Sequence, residues 1–265
     1  MADSATHATL NYATEGRVAQ AVFVRPDRRN SLSEETFDDI GDVVRSVQAN
    51  GTIRALVISG AGDAFSIGLD DELLERAYGD SEYFEHLLTR LAATCFSFES
   101  LEVPVIAKLG GAALGAGLEL AIACDMIIAA DDAQIGDGHL AAGVVPGGGA
   151  SIRLPHLVGV ERARELIYSG RVLSGKEAAA LGLVLSSVPA KELDATVDAL
   201  VATLVDKPRF ALAAAKRQIN RGLGVDTPTA VEQERRELIR YMREAGADAL
   251  EGLRARLEQR PPSWS

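Results

Sequence analysis

A chain of 265 residues, 47% hydrophobic and 25% charged, can bury a full core as one large domain or one domain with an appendage. Its formal net charge of -11 repels polyanions and excludes broad binding to nucleic acid or anionic membrane, so a phosphate-bearing ligand needs a local basic patch. The two cysteines, Cys95 and Cys124, lie in apolar runs, as buried free thiols of a reducing compartment do, with a catalytic thiol as the sharper alternative.

Met1 to Ala13 has neither a basic start nor an apolar centre, so no secretory signal is expected there. Arg17–Val24 alternates as a strand does, and Arg25–Leu32, with Pro26 and Asn30, reads as a turn. Ser33 then caps a helix whose inner face is Phe37, Ile40, Val44 and Val47. RALVISGAGDAFSIGLDD, Arg54–Asp71, is a buried strand running into a Gly-containing loop and then a helix; Tyr83–Ser100 is helical. VPVIAKLGGAALGAGLE, Val103–Glu119, repeats that plan. The apolar stretch Ala112–Ala130 is interrupted by Glu119 and Asp125 and makes a poor membrane span, so a cytoplasmic protein is expected.

Met126–Ala130 and Gln134–Gly136 read as short strands, and Pro146–Ser151 as a loop too Gly-rich to be regular. Ser174 and Glu177 form a capping box, and Leu193, Val197, Leu200 and Leu204 make one stripe. Thr227 and Pro228 open a last long helix with Leu238, Met242, Leu250 and Leu253 spaced to face a partner. The chain thus divides into an α/β body, residues 1–195, and a helical region, residues 196–265.

The paired strand-to-helix Gly loops carry the chemistry. Backbone N–H groups at a helix start lack intrahelical acceptors, and two of them aimed at one oxygen make an oxyanion hole. Glycines around Gly68 and from Gly115 to Gly117 permit close approach of a ligand, or serve only tight turns. Glu119 sits in an almost wholly apolar helix start, where burial raises a carboxyl pKa into the range useful for acid/base work. Otherwise it bonds the free N–H groups of its own helix. His139, in IGDGHLAAGVVPGGG, follows the strand that leaves this helix and could exchange protons near neutral pH, or be a structural loop histidine; His7, His86 and His156 have weaker claims.

Asp70, Asp71 and Asp137 read as turn or cap residues. Arg25, Arg28 and Arg29 form a tight basic cluster, either a phosphate contact or a solvated turn. With no HxxxH, CxxC, GxSxG or Walker pattern, no metal or cofactor is expected. The rival reading makes Val103–Asp132 a dinucleotide-binding unit, but GGAALGAG does not fit GxGxxG and a Glu would intrude on the packing helix.

In order and spacing, RPDRRNSL (25–32), GAGDAFSIGLD, PVIAKLGGAALGAGLELAIACD, PGGGASIRLPHLVG and SGKEAAALGLV resemble the crotonase (enoyl-CoA hydratase/isomerase) family over nearly the whole chain. The resemblance implies an α/β spiral of repeated ββα units, a C-terminal helical trimerisation region, and homotrimers or hexamers built from two trimers. It also implies a coenzyme A thioester as substrate. Carried over by position, the oxyanion donors are the amides of Leu69 and Ala116, and Arg28, Arg29, Asn30, Ser66, Ile67, Gly68 and Gly115 lie along the substrate. Glu119 matches the first of the two glutamates that hydratases use on water, whereas the second falls at His139. That departure leaves three readings open: a hydratase-like lyase, an isomerase or enolate hydrolase using His139, and a non-catalytic acyl-CoA binder.

Overall fold

The computed structural model describes residues 4–264. It opens with strands β1 (Ser4–Thr6), β2 (Leu10–Glu15) and β3 (Val18–Phe23). β2 alternates buried and exposed residues, with Leu10, Tyr12 and Thr14 inward, and turns into β3 at Gly16, where φ is +58°. Only β3 is legible in the sequence; the LNYATE of β2 is mostly small and polar. Helix α1 (Glu34–Ala49) starts at Ser33, whose hydroxyl accepts the Thr36 N–H, and it buries Phe37, Ile40, Val43, Val44 and Val47.

Three ββα turns follow. They are β4 (Ala55–Gly60), β5 (Ala64–Ser66) and α2 (Asp71–Gly79), with α3 (Ser81–Ser100) added; β6 (Val105–Leu109), β7 (Ala112–Leu114) and α4 (Ala116–Ile122); and β8 (Met126–Ala130), β9 (Gln134–Gly136) and α5 (Ala150–Val158). Then come α6 (Val160–Ser169), β10 (Leu173–Ser174), α7 (Gly175–Leu181), β11 (Ser186–Val188), α8 (Leu193–Val205), α9 (Arg209–Gly222), α10 (Thr227–Glu244) and α11 (Asp248–Leu257).

One sheet runs β1-β2-β3-β4-β6-β8-β11 and the other β10-β9-β7-β5. Each ββα turn therefore gives its first strand to the larger sheet and its second to the smaller, and β3, β4, β6, β8 and β11 are parallel neighbours. Strands covered on both faces need continuous apolar runs, which Ala55–Ile58 and Val105–Ala107 supply. This is the α/β spiral of repeated ββα units that the resemblance implies. It also removes the dinucleotide-binding reading, because β7 crosses into the second sheet before α4 begins, so Val103–Asp132 is not one strand–helix–strand unit of a single sheet.

Three boundaries differ from expectation. The Pro146–Ser151 loop ends early, since α5 begins at Ala150. The last long helix opens at Thr227 and Pro228 as expected, capped by Asp226, but it is two helices, α10 and α11, separated at Gly246 (φ +55°). Residue 195 falls inside α8, which buries Leu193, Val197 and Val201.

Candidate active site

The first Gly loop is set by a single parallel bridge between Leu32 and Leu69. Leu32 N–H donates to the Gly68 carbonyl (2.7 Å) and Asp70 N–H to the Leu32 carbonyl (3.0 Å). With residues 68 and 70 turned toward Leu32, the intervening Leu69 N–H points to the opposite side. Ser66 is fully buried, and its hydroxyl accepts the Gly68 N–H at 3.2 Å. In the second loop Gly115, at φ +53°, donates its N–H to the Gly136 carbonyl (3.0 Å), and Ala116 is the first residue of α4, where no i−4 carbonyl is available. Neither the Leu69 nor the Ala116 amide finds an acceptor among the described residues. The loops touch: a methyl group built on Gly68 would lie 3.3 Å from the Ala116 nitrogen.

One helical turn on, Glu119 is 0% exposed. Its Oε1 accepts N–H bonds from Gly148 (2.8 Å) and Ala150 (3.0 Å), and its buried Oε2 has no hydrogen-bond partner. Burial pushes the Glu119 pKa up, against the opposing pull of the Ala150 N–H, the His139 ring and the Gly148 N–H. The alternative of a Glu satisfied by its own helix start is thereby corrected: the donors come from the loop before α5 and from its first residue. Gly148 is there because nothing larger fits; a Cβ on it would meet Oε2 at 2.5 Å.

His139 lies between two carboxylates. Its Nδ1 is 2.9 Å from Asp137 Oδ1, and its Nε2 is 3.8 Å from Glu119 Oε2. Burial lowers the ring's pKa, but the hydrogen bond and charge of Asp137 and the charge of Glu119 outweigh it and leave the pKa raised. Asp137 directly follows β9 and is 1% exposed. In the sequence alone it reads as a turn residue, and an Asp two residues before a loop His is the available signal.

The basic cluster splits. Arg25 turns inward to Asp70 Oδ2 (2.8 Å) and the Ser31 carbonyl (2.9 Å), so it pins the loop, and Asp70 is its ion-pair partner, not a helix-capping side chain. Arg28 and Arg29 stay at the surface, 3.3 Å from Glu72 and 3.3 Å from Asp63. The Asn30 side chain is spent on Arg25 N–H (2.9 Å), Ala61 O (2.9 Å) and Ala64 O (2.7 Å), holding the turn at φ +54°. Ile67 and Gly115 are half-buried beside the two free amides. Cys95 is fully buried against the Glu119 carbonyl and its thiol is pushed up to about 12 by burial, which excludes it as a thiolate nucleophile near neutral pH. Cys124 is likewise raised, chiefly by burial. Between the β1–β2 turn and α1, His7, Asp39 and Asp42 bring ligand atoms within 4.8 Å of one another, but Asp39 is bonded to Thr9 and Asp42 to Arg45.

Two amides without an acceptor among the described residues thus lie on adjoining loops, next to a buried carboxyl, the kind of donors and acid that an oxyanion site requires. The enoyl-CoA hydratase/isomerase family profile matches residues 13–265. The chain is 36% identical over 244 residues to the human mitochondrial methylglutaconyl-CoA hydratase, covering 89% of this chain and 70% of that protein. It is 33% identical to the crotonyl-CoA hydratase of Syntrophomonas wolfei, covering 94% and 95%. An enoyl-CoA hydratase crystal structure from Bacillus anthracis superposes with a TM-score of 0.91 at 33% identity, covering 97% and 98%. The protein belongs to the enoyl-CoA hydratase/isomerase (crotonase) family, which implies an acyl-CoA ligand.

Proposed function

We propose that the protein is an enoyl-CoA hydratase-like lyase. The observation that carries this reading is the buried, half-satisfied Glu119: Oε1 is fixed by two N–H groups while Oε2, 3.8 Å from His139 Nε2, has no hydrogen-bond partner. In the mechanism, the Leu69 and Ala116 amides hold the thioester carbonyl. Glu119 Oε2 takes a proton from water as the water oxygen bonds to Cβ. The pair of electrons from the broken Cα–Cβ π bond moves to the thioester oxygen, forming an enolate. Protonated His139 then gives its Nε2 proton to Cα, and Glu119 returns the proton it took across the 3.8 Å gap to His139, restoring both groups. Arg28 and Arg29 exchange their exposed partners Glu72 and Asp63 for the phosphates of CoA.

Glu119→Gln is expected to lower kcat by about 10²-fold or more on enoyl-CoA substrates. Turnover within a few-fold of the parent removes Glu119 from the reaction. Mass spectrometry of products from a mixed acyl- and enoyl-CoA panel separates the readings. A 3-hydroxyacyl-CoA supports hydration. A shifted double bond or a free acid supports isomerisation or enolate hydrolysis, for which the Asp137–His139 pair gives a base. Binding without any turnover supports an acyl-CoA-binding member.

The finer assignments of assembly and compartment belong to the same reading. Leu238, Met242, Leu250 and Leu253 are between 42% and 55% exposed on α10 and α11, a face for homotrimer or hexamer contacts. Two free thiols suit the cytoplasm, although relatives include mitochondrial enzymes.

A further inference from the structure

His139 reaches toward Glu119 from a glycine-flanked loop, and a loop imidazole free to rotate presents either nitrogen. The neighbouring carboxylate removes that freedom. Asp137 Oδ1 is 2.9 Å from Nδ1, and its Oδ2 accepts the His139 backbone N–H at 3.4 Å, so one buried carboxylate holds the residue at two points. A carboxylate accepts only, which places the proton of the neutral ring on Nδ1. Asp137 is itself fixed at the end of β9, where the preceding Gly136 carbonyl accepts the Gly115 N–H (3.0 Å), next to the Ala116 amide. We propose that Asp137 is the positioning residue of this site, holding Nδ1–H of His139 so that Nε2 is the proton-transferring nitrogen facing Glu119 and the acyl group.

The proposal rests on the catalytic reading for its second half only. The charged groups facing the ring are Asp137 at the end of β9 and Glu119 on α4. Arg171, which lines the small space behind Asp137, is paired with Glu165 (3.6 Å) and Glu177 (2.5 Å). Asp137 is thus the nearest counter-charge to the ring. Without it, the imidazolium loses a bonded partner and becomes the stronger, less available acid near neutral pH.

The test combines ¹⁵N NMR of the histidine rings with pH–rate profiles. In the parent, the His139 ring is expected as the Nδ1–H tautomer at high pH, with a pKa above 6.5. In Asp137→Asn the ring pKa is expected to fall by about one unit, and the alkaline limb of kcat/KM to move to lower pH with it. kcat falls by on the order of 10²-fold, while the affinity for a 3-hydroxyacyl-CoA stays within about two-fold. A purely structural role predicts a lower Tm with both the ring pKa and the alkaline limb unmoved, and that result overturns the proposal. If Asp137→Asn does not fold, the parent's tautomer decides: an Nε2–H neutral ring refutes the assignment. His139→Ala separates the two halves, because full turnover there ends the proton-transfer role whatever tautomer Asp137 imposes.

Discussion

Gly148→Ala isolates the positioning of Glu119 from its chemistry. Gly148 is buried and its φ lies outside the left-handed region, so alanine meets no backbone penalty; the perturbation is purely steric. The new Cβ would stand 2.5 Å from Glu119 Oε2, 2.9 Å from Cδ and 2.9 Å from Leu91 Cδ2. An ordinary contact needs at least 3.4 Å, so the carboxyl or the loop must give by about an ångström. Overpacking of this size costs about 1–3 kcal/mol, or a Tm loss of roughly 2–10 °C for a chain of this length. Under the proposed mechanism, displacing Glu119 by that distance costs on the order of 10²-fold in kcat, while KM changes little because the CoA contacts proposed above, Arg28 and Arg29, lie on another loop. Differential scanning calorimetry and steady-state kinetics on the responding enoyl-CoA read both numbers. A variant with the parent's Tm and kcat would show that Glu119 is not held against Gly148, and the reading of the buried carboxylate would fail with it.

The pH profile of kcat/KM is expected to be bell-shaped. Glu119 must be ionised and its pKa is raised, so activity grows as pH climbs through a value above the ordinary Glu value; His139 must be protonated and is also raised, so activity declines as pH rises through a value above that of an ordinary imidazole, and His139→Ala abolishes that alkaline limb. Lys216→Met removes the partner of Asp125 (2.7 Å) and of the Phe98 (2.6 Å) and Val103 (3.2 Å) carbonyls, and is expected to cost about 3 kcal/mol by denaturant titration, partly restored by adding Asp125→Leu. Leu238→Asp with Met242→Asp should reduce the mass measured by light scattering toward that of one chain; an unchanged mass sends the contact elsewhere. Iodoacetamide should leave Cys95 unmodified until the protein unfolds, as a thiol held at about 12 and fully buried requires.

Much of the fold is local, and so it was legible. The Ser33 and Ser174 caps, the apolar run of β4 and the inner face of α1 follow from neighbouring residues alone. β2 was not, because its inward Thr14 and outward Asn11 give little contrast without β3 alongside. The split between α10 and α11 hinges on the single positive φ at Gly246 in an otherwise continuous helical pattern. In the site, Arg25 looked like its neighbours Arg28 and Arg29, and only Asp70, brought near by the Leu32–Leu69 bridge, turns it inward.

The residues that can do chemistry were fixed by sequence: a carboxyl in apolar company, two Gly loops ahead of helices, and a histidine where the family pattern has a glutamate. Tertiary structure alone decided what each one faces. Glu119 is held by amides some thirty residues further along the chain, and His139 is clamped by an aspartate whose side chain only the folded loop aims at it. Hydrogen bonds reach about 3 Å, whereas the separations that matter here are bridged by the stacking of successive ββα turns, a distance no local pattern encodes.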